Sequence, residues 1–153
     1  MNNGEGRLQE GARVELGRIL NKDFFLYLLD LEVKRARRYQ NFLCLLLLNI
    51  KKFSKNDEEG AFHTCHEALS KLLMEEMRET DILGSLDGNK LAVILPYADK
   101  SAGSNAKSRF EGTLKYYDFK SKGCEVNINQ ICFPINGADT FDLIKKALEI
   151  QPS

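Results

Sequence analysis

The sequence predicts an α+β fold in which helices cover a mainly antiparallel central sheet. Three observations carry that expectation. Phe42-Leu43-Cys44-Leu45-Leu46-Leu47-Leu48-Asn49-Ile50 is a continuous apolar run, short enough to be a strand buried on both faces. Asp87-Gly88 stands between the apolar runs Ile82–Leu86 and Leu91–Leu95, a hairpin signal because a tight turn needs positive φ. Segments of helical periodicity alternate with these strands, so helices and sheet form separate layers.

Taken in order, residues 1–12 are polar and carry Gly4, Gly6 and Gly11, which reads as a flexible tail before a domain over 13–153. From Asn21 to Arg38, Phe24, Phe25, Leu28, Leu29, Leu31 and Ala36 fall mostly at helical spacing, with Asn21 or Asp23 as N-cap. Lys34, Arg35, Arg37 and Arg38 load its C-terminal turns, where the helix dipole favours positive charge. After the first strand, a helix over about 58–78 places Phe62, Leu69, Leu72, Leu73 and Met77 on one face. The hairpin follows and Pro96 ends its second strand. A helix over 100–117, a strand over 124–133 and a helix over 140–150 complete the chain. The centre is therefore a β-α-β-β-α-β unit, a ferredoxin-like, palm-type core with additional helices.

Composition excludes several classes. The 153 residues suit one domain. Lys plus Arg number 22 and Asp plus Glu number 22, so there is no chain-wide basic field for nucleic acid. Phe42–Leu48 is seven residues, far short of the ~18 that would suggest a membrane span. The N-terminus has no basic-then-apolar leader. Cys44, Cys65, Cys124 and Cys132 show no C-x-x-C spacing and read as buried thiols of a reducing, cytoplasmic compartment. His63, Cys65 and His66 are good zinc ligands by type, but no fourth ligand stands at a recognisable spacing.

The run Leu45–Phe53, the helix after it, Arg78-Glu79-Thr80-Asp81, and Ser85-Leu86-Asp87-Gly88-Asn89-Lys90-Leu91-Ala92-Val93-Ile94-Leu95-Pro96 together resemble the GGDEF domain family of diguanylate cyclases. These condense two GTP into cyclic di-GMP, a bacterial messenger. The resemblance opens near Leu16-Gly17-Arg18-Ile19-Leu20-Asn21, runs to about Ile150, and implies a nucleotide cyclase-like core.

The signature itself is degenerate. Asp87-Gly88-Asn89-Lys90-Leu91 stands where the family has G-G-(D/E)-E-F. The resemblance puts metal-binding carboxylates at positions 49 and 89, and here both are asparagine. Lys51 falls where a second Asp is common, and Lys90 follows Asn89. Hard cations need anionic oxygens, so no Mg²⁺ cofactor and no cyclase activity are expected, and the two ammonium groups would repel the metal. The base-reading positions have drifted to Asp57 and His66, although a one-residue gap would restore Asn56, and Ser54 replaces the basic phosphate contact.

Arg78-x-x-Asp81, by contrast, lies nine residues ahead of the signature, where the family's inhibitory site has R-x-x-D. That site binds cyclic di-GMP away from the catalytic centre. Arg109 falls in register with a second arginine of the same site. An arginine fork matches guanine O6 and N7. Read alone, Arg78 and Asp81 are an ordinary charged helix end, and Lys51, Lys52 and Lys55 a solvated loop. Two functions therefore stand: a catalytically inactive cyclic di-GMP receptor using Arg78, Asp81 and Arg109, or a protein-interaction scaffold that has kept only the fold. Either implies a protein partner in bacterial signalling, no nucleic acid and no membrane insertion, and is compatible with a homodimer.

Overall fold

A computed structural model describes residues 19–53 and 59–150. The tail, Leu16 to Arg18 and the segment from Ser54 to Glu58, with Lys55, Asn56 and Asp57, lie outside the described residues. The elements are α1 (Lys22–Arg38), β1 (Leu43–Lys52), α2 (Glu59–Glu76), β2 (Ile82–Asp87), β3 (Lys90–Pro96), α3 (Lys100–Leu114), a 3₁₀ turn (Lys120–Lys122), β4 (Cys124–Phe133) and α4 (Thr140–Glu149). The four strands form one sheet in the order β2-β3-β1-β4, every pairing antiparallel. The expected α+β core is the observed one.

β1 lies between β3 and β4, with Leu43 opposite both Pro96 and Phe133 and Asn49 opposite both Lys90 and Asn127. Its first eight residues are buried. Side chains alternate across a sheet, so Cys44, Leu46, Leu48 and Ile50 pack with Cys65, Leu69 and Leu73 of α2 and Ala106, Phe110 and Leu114 of α3. Leu43, Leu45 and Leu47 pack with Phe25, Leu29 and Val33 of α1 and Leu143 and Ala147 of α4. Two helical layers thus explain why the strand is apolar without alternation, a pattern more familiar from parallel sheets.

Three helices begin on side-chain caps that satisfy an otherwise orphaned amide. Asn21 accepts from Phe24 N at 2.9 Å, Asp99 from Ala102 N at 2.8 Å and Asp139 from Asp142 N at 2.9 Å. The basic end of α1 is engaged within the fold. Arg35 pairs with Glu32 at 3.0 Å, Arg37 donates to Ala138 O at 2.8 Å, and Arg38 lies over Tyr39.

Two helices end earlier than their periodicity suggests. α2 stops at Glu76 because Arg78 to Asp81 closes as a turn, with Asp81 N donating to Arg78 O at 3.0 Å. α3 stops at Leu114 because the amides of Lys115, Tyr116 and Tyr117 bond three residues back, a 3₁₀ tightening. All four cysteines are buried thiols. No helix among the described residues is long and apolar enough to cross a membrane.

Leu20 and Gly84 form a parallel bridge, with Leu20 N donating to Leu83 O at 3.0 Å and Ser85 N to Leu20 O at 2.9 Å. The close approach brings the fully buried Phe25 ring onto the Gly84 backbone, and a Cβ there would overlap the ring. Gly84→Ala is therefore expected to destabilise the fold by about 1–3 kcal/mol, the cost of overpacking, read as a lower urea midpoint with an unchanged m-value.

Candidate functional site

Three elements converge on one cavity of about 250 Å³, lined by Arg78, Asp81, Tyr97, Asn105 and Arg109 among others. The turn after α2 supplies Arg78 and Asp81, the loop after β3 supplies Tyr97, and α3 supplies Asn105 and Arg109. The three residues singled out from sequence, Arg78, Asp81 and Arg109, therefore share one pocket although 31 positions separate the outer two.

The R-x-x-D spacing has a local cause. Asp81 Oδ2 accepts from Arg78 N at 2.9 Å and so completes the turn that Asp81 N closes from the other side. Asp81 is 9% exposed, and burial raises its pKa against the lowering effects of the Arg78 amide and of the Arg78 and Arg109 charges. The arginine charges help keep a desolvated carboxylate ionised. Arg78 itself is exposed at the pocket mouth.

Arg109 is held before any ligand arrives. Its Nε lies 2.7 Å from Glu76 Oε1, and Glu76 Oε2 accepts from Thr113 Oγ1 at 2.9 Å. A guanidinium held through Nε keeps its two terminal nitrogens, in a fixed plane, for a second partner. Sequence reading missed Glu76, because a glutamate near a helix end carries no signal until the fold sets it opposite position 109. It also missed Tyr97, which has φ of 61° and is 65% exposed. A bulky residue in the left-handed region is uncommon and strained, and this one stands on the pocket wall.

The turn Asp87-Gly88-Asn89 lines a second, separate cavity. Lys51, Asp87, Gly88 and Asn89 line about 570 Å³ together with Ile50, Lys52 and Phe62. An adjoining cavity takes in Lys52, Phe62, His63, His66 and Gly88. Lys52 Nζ sits 5.1 Å from the Phe62 ring centroid, and Asp87 Oδ1 accepts from Gly88 N at 2.6 Å.

Asn49 and Lys90 are not among the residues lining either cavity, which corrects the expectation that the Lys90 ammonium stands beside the metal position. They are cross-strand partners and, by the alternation of the strands, face the α1 and α4 layer. Lys90 is 7% exposed, and its Nζ donates to the carbonyls of Ala147, Leu148 and Ile150 at 3.4, 3.2 and 2.9 Å. It caps the C-terminus of α4, where a cation suits the dipole. Asn49 is fully buried, and neither its amide oxygen nor its nitrogen has a hydrogen-bond partner.

The zinc possibility has no geometric support. Cys65 is buried in the core, whereas His63 is exposed and near Glu67 at 3.5 Å. Burial, then the His63 charge, lowers the His66 pKa. Among the described residues no group of three or more His, Cys, Asp or Glu could hold a metal ion.

The family model "Diguanylate cyclase, GGDEF domain" matches residues 15–149. The chain belongs to the GGDEF domain family. Solved structures similar in fold include a diguanylate cyclase protein from Thermotoga maritima, with TM-score 0.70 and 24% identity over 88% of this chain and 97% of that one. The GGDEF domain of DgcB from Caulobacter crescentus, solved in complex with c-di-GMP, superposes with TM-score 0.67 at 14% identity over 84% and 81% of the two chains. Diguanylate cyclase SiaD from Pseudomonas aeruginosa, in complex with its activator SiaC, gives TM-score 0.68 at 15% identity, covering 95% of this chain and 63% of that one. No curated protein matches by sequence.

Lys90→Met removes three charge-assisted contacts to the end of α4 while keeping the aliphatic stem. It is expected to lower stability by about 2 kcal/mol, measured by urea unfolding. Amide exchange in the last turn of α4 is expected to rise. An unchanged urea midpoint would contradict the capping role.

Proposed function

We propose that this GGDEF domain is catalytically inactive and acts as a cyclic di-GMP receptor through Arg78, Asp81 and Arg109. The observation that carries the reading is the convergence of these three side chains on one pocket. Support also comes from a relative of the same fold solved with c-di-GMP. The pocket volume of about 250 Å³ lies just under the about 300–1,000 Å³ of ordinary ligand sites. It therefore suits one guanine and its adjoining phosphate, with the rest of the dinucleotide outside.

In this reading Arg78 and the terminal nitrogens of Arg109 donate to guanine N7 and O6 or to phosphate oxygens. The Asp81 carboxylate accepts from the guanine N1–H and amino group. Its Oδ2 is already engaged by the Arg78 amide, so Oδ1 faces the base. Tyr97 offers an aromatic face at the rim. Bound ligand changes the behaviour of the domain by differential affinity for two states of a partner-facing surface.

Inactivity rests on the donor set at the signature. Magnesium, which the family implies, does not fit it. Positions 49 and 89 carry neutral amides, the Asn49 amide is enclosed on the far face of β1, and Asp87 is turned onto the Gly88 amide. A hard divalent cation needs anionic oxygens, and two-metal phosphoryl transfer needs carboxylates to hold the ions.

Calorimetric titration with cyclic di-GMP is expected to give a dissociation constant of about 1 µM or tighter, or about −8 kcal/mol. Arg78→Ala is expected to abolish binding and Arg109→Ala to weaken it. Folded protein that gives no heat would leave the interaction scaffold as the function. Incubation with GTP and Mg²⁺ is expected to yield no cyclic di-GMP by chromatography, and turnover above a protein-free control would overturn the inactive assignment.

A further inference from the structure

Cys44 and Cys132 are direct cross-strand partners on β1 and β4. Both side chains face the α3 layer. Partners opposite one another in an antiparallel pair have Cβ atoms about 4.5–5.5 Å apart, close to the about 3.5–4.5 Å that a disulfide needs. β4 is an edge strand of the sheet, with β1 as its one strand neighbour. One side chain ties the two sulfurs together: Gln130 Nε2 lies 3.2 Å from Cys132 Sγ and 3.8 Å from Cys44 Sγ. It also donates to Lys100 O at 3.0 Å, and Ser104 Oγ donates to Gln130 Oε1 at 3.1 Å.

Cys44 additionally touches the wall of the Arg78 pocket. Its Sγ is 3.4 Å from Ala98 O and 3.3 Å from Asp99 O. Ala98 lines that pocket, and Asp99 is the N-cap of α3, the helix that bears Arg109. Gly103 of the same helix lies so close that a Cβ would stand 2.6 Å from Cys44 Sγ. Thiol pair, helix start and pocket wall are thus in direct contact.

We propose that Cys44 and Cys132 are a modification site that closes to a reversible disulfide and so resets the pocket wall. The chemistry assigns different roles to the two sulfurs. The Cys132 pKa is lowered to about 7, first by the hydrogen bond from Cys44, then by the Gln130 amide and the Lys100 charge, against burial and Asp99. The Cys44 pKa is raised, by that same hydrogen bond and by burial. Of the two, Cys132 on the edge strand is the less enclosed, 3% exposed against 0% for Cys44, and is therefore assigned as the attacking sulfur.

With hydrogen peroxide as oxidant, the Cys132 sulfur forms an S–O bond as the O–O bond breaks, giving a sulfenic acid and one water once the leaving hydroxide is protonated. Cys44 sulfur then attacks Cys132 sulfur, the S–O bond breaks, and the Cys44 proton leaves in a second water. Two thiols lose two electrons and two protons, and hydrogen peroxide becomes two waters. Cys44 no longer has an S–H to offer Ala98 or Asp99, and the carbonyls at the start of α3 lose that donor.

The test is made on the native chain. After hydrogen peroxide and alkylation in denaturant, peptide mapping is expected to show a mass loss of two hydrogens, one Cys44–Cys132 crosslink, Cys65 and Cys124 fully alkylated, and reversal by dithiothreitol. Four alkylated cysteines, a different pairing, or Cys132 oxidised to sulfinic acid without a crosslink would overturn the site. The effect on the pocket rests on the receptor function proposed above. The oxidised form is expected to bind cyclic di-GMP about tenfold more weakly than the reduced form. Equal affinities would overturn the coupling. Absence of binding in both forms would overturn the receptor function instead, and the crosslink map alone then decides whether the disulfide forms.

Discussion

The burial of β1 on both faces is the constraint on which the other elements depend. Its eight consecutive buried residues can be covered only if helices lie above and below the sheet and strands lie on either side. β3 and β4 supply the flanks, α2 and α3 one layer, and α1 and α4 the other. Burial of apolar surface stabilises by about 25 cal/mol per Å², and every one of these eight residues is buried. Position along β1 also decides chemistry. Cys44 faces the pocket side, whereas Asn49, five residues later, faces the opposite layer by simple alternation.

The length of β2 separates two sites that the sequence presents as neighbours. The signature turn and the Arg78 turn lie at opposite ends of β2, and their cavities share no lining residue. Substitutions in one cavity therefore need not disturb the other. Lys90 illustrates a structural use of a residue beside the signature turn. A lysine at that motif position is unsuited to metal binding, yet turned inward it holds the carbonyl end of α4. These contacts tie the last helix to the sheet.

The fold was legible because its signals are local and strong. Asp87-Gly88 marked the turn, the leucine run marked the central strand, and Asn21 marked a helix start. Helix ends were less legible, since Arg78 to Asp81 and Lys115 to Tyr117 leave helical geometry through hydrogen bonds that periodicity does not encode. The candidate site was legible in its members, Arg78, Asp81 and Arg109, through the family resemblance. Its geometry was not. Glu76 holds Arg109 across two helices, Tyr97 takes a left-handed backbone at the rim, and Gln130 bridges two thiols. Each is a contact between segments distant in sequence or a backbone state that composition does not signal. The direction of Lys90 depended on strand register, which a one-residue slip would reverse.

Backbone amide shifts during addition of cyclic di-GMP test the receptor function most directly, because they report where the ligand sits as well as whether it binds. Saturable shifts are predicted at Arg78 to Asp81, at Tyr97 and Ala98, and along the face of α3 that carries Asn105 and Arg109, with the signature turn undisturbed. Shifts centred on Lys51, Lys52 and Asp87 to Asn89, or none at saturating ligand, would contradict it.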